Sequence, residues 1–132
     1  MSPFDDLIAD KGQPPLDKLT PLPADQLARL RAAHPGLPEG YVDFLAHVGF
    51  GELGDASFML YGGVIEPDEA YGETPAGLQG VLLLGDDFAG TNCGFDSAGG
   101  WRIVEIDPTN FGKDVVGEDF AAFIRIRIAA AA

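Results

Sequence analysis

At 132 residues, with 46% apolar residues, ten prolines and eighteen glycines, the chain has the size and composition of one turn-rich globular domain. Its 21 acidic and 8 basic residues leave a net charge of −13, a field that repels nucleic-acid phosphates and anionic membrane and attracts basic proteins. No run of apolar residues is long enough to span a bilayer, and Asp5, Asp6 and Asp10 stand where a secretory leader would be basic and then apolar.

Most of the charge lies beyond the first quarter of the chain. Asp5, Asp6, Asp10, Asp17 and Asp25 are nearly balanced by Lys11, Lys18, Arg29 and Arg31, whereas no lysine or arginine occurs between Arg31 and Arg102. That unneutralised stretch points to a functional acidic face over a merely solubilising one. The lone cysteine, Cys93, has no intramolecular disulfide partner, which fits a reducing cytoplasm, and its residue type suits a packed turn or strand better than a nucleophile.

In chain order, residues 1–19 form an amino-terminal extension, expected as a helical stub and an extended arm. Thr20-Pro21-Leu22-Pro23 starts a helix that runs through Leu27 and Leu30 to about Ala33, where Pro35-Gly36 stops it and His34 suits the end of its dipole. A second helix follows Pro38, with Tyr41, Phe44, Leu45 and Val48 as its buried stripe and Gly49 and Gly51 as its end. Ser57 to Ile65 reads as a strand with a bulge at Gly62-Gly63, and Glu66 to Tyr71 as an acidic helical turn or loop.

Val81-Leu82-Leu83-Leu84, between Gly80 and Gly85, is the central buried strand. Asp86-Asp87 and a Gly/Asn-rich turn lead to a return segment ending Gly94-Phe95-Asp96. The strand Trp101 to Ile106 follows, and then a short edge strand at Val115-Val116 that could pair two copies. Gly117-Glu118-Asp119 precedes a last helix with Phe120, Phe123 and Ile124 on its apolar face. The alternation Ile124-Arg125-Ile126-Arg127-Ile128 leaves helix and strand open beyond Ile124, and Ala129 to Ala132 reads as a frayed end. The order gives an α+β domain: about five to six strands, mostly antiparallel or mixed, with two amino-terminal helices and one carboxy-terminal helix against the sheet.

Enzymatic constellations are missing from this pattern. Asp86, Asp87 and Asp96 lack the string of alternating oxygen ligands a calcium loop needs, and Asp and Asn in such turns ordinarily bond their own backbone. His34 and His47 stand on different helices without a cysteine pair, so no zinc site is expected, and no catalytic residue or cofactor is assigned. What stands out is aromatic residues among acids, the composition of a protein-binding surface. The candidate partner-binding set is Glu66, Asp68, Glu69, Tyr71, Glu73, Asp86, Asp87, Phe88, Asp96 and Trp101, with Tyr61 beside it.

Four segments in order resemble the SUKH superfamily, which includes Smi/Knr-type proteins and many bacterial immunity proteins. They are Leu37-Pro38-x-x-Tyr41-x-x-Phe44-Leu45, Leu84-Gly85-Asp86-Asp87 running into Gly94-Phe95-Asp96, Trp101-x-x-Val104-x-Ile106-Asp107, and Asp119-Phe120-x-x-Phe123-Ile124. The resemblance covers roughly residues 20–126, and the family often has a further glycine-and-acid run where Phe88-Ala89 stands here. It implies a non-enzymatic, cytoplasmic domain that binds and neutralises a cognate polymorphic toxin domain, expected to be a basic nuclease. The alternative it implies is a Smi/Knr-type regulatory or scaffold module without a toxin. Neither nucleic acid nor membrane is an expected partner, and a monomer and a weak homodimer both remain open.

Overall fold

The computed structural model describes residues 4–10 and 12–131; residues 1–3, Lys11 and Ala132, parts of the expected amino-terminal arm and frayed end, lie outside it. Six strands form a single antiparallel sheet in chain order: Gly51–Leu53 (β1), Phe58–Ile65 (β2), Val81–Asp86 (β3), Asn92–Asp96 (β4), Arg102–Ile106 (β5) and Lys113–Gly117 (β6). The helices are Asp5–Ala9 (α1), Ala24–Ala33 (α2), Glu39–His47 (α3), Pro67–Tyr71 (α4) and Phe120–Ala131 (α5). This is the expected α+β architecture. Three of its strands add to what the sequence signals: β1 is unforeseen, β4 takes in Asn92 and Cys93, and β6 extends back to Lys113.

One face of the sheet carries the main core. The α3 stripe of Tyr41, Phe44, Leu45 and Val48 meets Phe120, Phe123 and Ile124 of α5 over Phe58, Leu60, Cys93, Phe95 and Ile103 from the strands. Phe120 is the hub, edge-on to Tyr41 at 5.2 Å and to Phe44 at 5.5 Å. Burying a ring of this size stabilises the fold by roughly 1.5–3 kcal/mol. The segment expected as an extension belongs to this core, because Phe4 and Leu16 are buried in it. Arg125 fixes α1 in place, with both terminal guanidinium nitrogens donating to the Asp6 carboxylate at 2.9 Å.

The open question beyond Ile124 resolves as helix. Arg125 and Arg127 serve the helix from its inner side: Arg127 lies 4.8 Å over the Phe58 ring and 3.6 Å from Glu105, while Ile126 faces solvent. By contrast α2 is peripheral, burying no residue fully and touching the core through half-buried Leu27 and Leu30.

A smaller apolar cluster occupies the other face: Leu78, Val81, Leu83, Val104 and Ile106, flanked by Tyr61, Ile65, Tyr71 and Phe111. Residues 66–80 form its lid, through α4 and a 3₁₀ turn at Ala76–Leu78. α4 starts with a capping box in which Glu66 and Glu69 satisfy each other's backbone N–H groups, with Pro67 in the first turn.

A candidate protein-binding face

The lid face holds most of the candidate residues, and a strand irregularity puts them there. Along β3, Leu83 pairs with Gly94 but Gly85 pairs with Cys93, so Leu84 is an extra residue bulged out of register. Side chains alternate along a strand, and one extra residue inverts which face the following ones occupy. Without the bulge Asp86 would lie beneath the helices. With it, Asp86 pairs with Asn92 and Met59 and comes out on the lid face.

There Asp86 ends a directional chain of hydrogen bonds. The Tyr71 hydroxyl donates to Asn92 Oδ1 at 2.7 Å, and Asn92 Nδ2 donates to the Tyr61 hydroxyl at 2.9 Å. Tyr61 donates onward to Asp86 Oδ2 at 2.6 Å. Partial burial, and then the neighbouring Asp86 carboxylate, hold the Tyr61 hydroxyl well above the usual tyrosine pKa, so it stays a donor. Partial burial and the nearby Cys93 raise Tyr71 as well. The Tyr71 ring lies 5.0 Å from Phe111, which the loop after β5 turns back onto it. Cys93 itself faces the main core, where burial pushes its thiol up to about 11, so it is a packed side chain and a poor nucleophile.

Asp86 and Asp87 build the β3–β4 turn. Asp86 Oδ1 accepts the Phe88 N–H at 2.9 Å, and Asp87 Oδ1 accepts those of Ala89 and Thr91 at 2.9 and 3.1 Å. This is the backbone bonding expected of Asp in tight turns. Phe88 at the tip is 45% exposed.

The candidate residues do not form one continuous cluster. Tyr71, Asp86, Asp87 and Phe88 gather at one end of the lid face, with Asp68, Glu69 and Glu73 exposed on α4 and the loop after it. Asp96 and Trp101 lie at the far end of β4, roughly 13 Å from Asn92 at strand rise. Asp96 is buried and its Oδ2 accepts from Lys113 Nζ at 3.0 Å, so it is a structural ion pair and no free contact charge. That separation also parts Asp96 from Asp86 and Asp87 as possible ligands of one ion. Among the described residues no group of three or more His, Cys, Asp or Glu side chains is arranged to hold a metal.

Trp101 packs inward on Phe95, 6.0 Å between ring centres, and over the bare Cα of Gly36. Its outer edge lines a groove of 420 Å³ with Glu66, His34 and Ser97. A second groove of 460 Å³ runs on from it between α2 and Tyr61–Ile65 of β2.

Two members of the face carry little warning in the sequence. Asn92 sits in what reads as a turn, although its period of two with Gly94 and Asp96, opposite Cys93 and Phe95, marks it as a strand residue. Phe111 is a lone ring in a loop, and only the fold brings it to Tyr71.

Charge divides unevenly between the two sides. Arg29, Arg31, Arg125 and Arg127 lie on the helical side and Lys18 in the amino-terminal segment, each ion-paired: with Asp25, Glu39, Asp6, Glu105, and Glu52 and Asp55 respectively. Two cations lie on the strands at the far end of the sheet, Lys113 paired with Asp96 and Arg102 donating to the Gly99 carbonyl. Glu66, Asp68, Glu69, Glu73, Asp86 and Asp87 make no ion pair among the described residues. Comparison with protein-family models, curated proteins and solved structures finds no significant match. No helix among the described residues is long and apolar enough to cross a membrane.

Proposed function

We propose that this protein is a non-catalytic, cytoplasmic immunity protein that neutralises a cationic toxin domain by binding it with the lid face. The observation that carries the reading is unneutralised acid beside rings: Asp86 and Asp87 next to Tyr61 and Phe88, and Asp68, Glu69 and Glu73 on and just after the helix that carries Tyr71, make no ion pair among the described residues. A nuclease that grips phosphates presents the complementary surface. The order of motifs, which resembles that of SUKH-type immunity proteins, supports the same reading.

Speed is what such a surface provides. Electrostatic steering raises association toward roughly 10⁸–10⁹ M⁻¹s⁻¹ at low salt, and steered encounters slow as counterions screen them. The reading expects a secreted protein with a basic carboxy-terminal domain to be encoded beside this gene, and the test uses that domain. Co-expression should rescue growth, and stopped-flow association should slow about tenfold or more between 20 and 500 mM NaCl. Absence of rescue, or a rate indifferent to salt, would reject the proposal.

A further inference from the structure

Three of the hairpin turns in the meander carry an aromatic residue with a left-handed backbone: Phe88 at φ +66°, Trp101 at +63° and Phe111 at +58°. A bulky side chain in that region is strained, and glycine would sit there freely. At two of the three turns packing offsets the strain. Trp101 buries its ring on Phe95 and Gly36, and Phe111 lays its ring on Tyr71.

Phe88 gains nothing of the kind. Its ring makes no aromatic contact among the described residues, belongs to neither apolar cluster and is the one exposed large aromatic among them. Three hydrogen bonds from backbone N–H groups to the Asp86 and Asp87 carboxylates nevertheless hold its turn in place. A turn so heavily specified, around a ring that contributes nothing visible to the fold, is arranged for an external contact.

We propose that Phe88 is the anchor of the interface, seated in an apolar recess that lysine and arginine side chains surround on the cationic partner. Both carboxylates fix the turn through their Oδ1 atoms, and their charge, with Asp87 Oδ2 beside the ring, meets the rim of that recess. The partner's cationic rim follows from the two carboxylates flanking the ring, which have no cation of their own among the described residues. An apolar centre inside a charged rim is where binding energy concentrates. This inference rests on the proposed function and assigns its residues different weights.

The test applies one substitution at three turns. Phe88→Gly should raise the thermal midpoint by roughly 2–5 °C, because strain is relieved and a ring in neither apolar cluster gives up little burial. Trp101→Gly and Phe111→Gly should both lower it. A lower midpoint for Phe88→Gly would show that the ring serves the fold, and would overturn this inference while the proposed function stands.

The second arm measures affinity for the toxin domain that the proposed function expects beside the gene, with polylysine as a probe of charge alone. Phe88→Ala should weaken the toxin domain about 30-fold or more and leave polylysine unchanged. Unchanged affinity for the toxin domain overturns the anchor alone, and so does an equal loss toward both probes. Failure of the wild-type chain to bind the toxin domain overturns the proposed function and the anchor with it.

Discussion

Removing one hydroxyl should act in opposite directions at two tyrosines. Tyr41 is buried among Phe95 and Phe120, and its hydroxyl has no partner among the described residues. Burial pushes its pKa far up. An unsatisfied buried hydroxyl costs about 1–3 kcal/mol, so Tyr41→Phe should stabilise the protein by about 1 kcal/mol in urea titration. Tyr61→Phe should destabilise it by about 1 kcal/mol, because the Tyr61 hydroxyl both donates to Asp86 and accepts from Asn92. A result of equal sign at both positions would contradict the assigned hydrogen bonding.

At the scale of the elements, the bulge in β3 makes Gly85 indispensable. A Cβ there would collide with the Met59 carbonyl oxygen and come within 2.7 Å of the Phe58 ring. Gly85→Ala should cost about 3 kcal/mol or more, since backbone and core both have to shift; a near-wild-type denaturation midpoint would refute this. The docking of α1 should depend on acid. The Arg125 guanidinium holds the Asp6 carboxyl at about 2, below its ordinary 3.8. A depressed carboxyl contributes fully above its unfolded-state value and loses that contribution as pH falls through the folded one. Amide protection in α1 should therefore decline between about pH 4 and pH 2, and Asp6→Asn should show the same loss at neutral pH.

These elements also show which parts of the fold a sequence exposes. The stripe Tyr41, Phe44, Leu45 and Val48 specifies α3 in any context, because helical spacing needs no tertiary information. β1 has only three residues, too few to display a period of two, and its Gly51 reads more naturally as a helix stop. The end of α5 was ambiguous for a physical reason: Ile and Arg alternate there as in a strand, and only Asp6 and Glu105 on other elements decide between the two. In the candidate site, acidity and ring content are visible from composition alone. The face on which Asp86 emerges is not, because one bulged residue sets it, and the capture of Asp96 by Lys113 joins residues 17 apart.

For the molecule as a whole, a net charge of −13 opposes compaction as well as steering partners. Raising NaCl from 20 to 300 mM should lift the thermal midpoint by roughly 2–4 °C while slowing association with the proposed cationic partner. A midpoint that falls with salt would mean that the ion pairs of the helical side outweigh the repulsion. The free edge of the sheet bears on assembly. Val115 and Val116 are exposed on β6, but Val116 is itself bulged between the pairs Val104–Val115 and Ile103–Gly117. A bulge on an edge strand discourages a second copy from pairing there. Sedimentation should give a monomer at micromolar concentration.

The clasp between Asp6 and Arg125 joins positions 119 apart, whereas every strand of the sheet pairs with its immediate neighbour in the chain. During synthesis the hairpins can form as they leave the ribosome, but Phe4, Tyr41 and Phe44 lack the ring that joins them until Phe120 emerges, after the whole sheet. A chain broken off before that helix would leave three greasy rings short of their cover, open to the proteases that clear unfinished proteins.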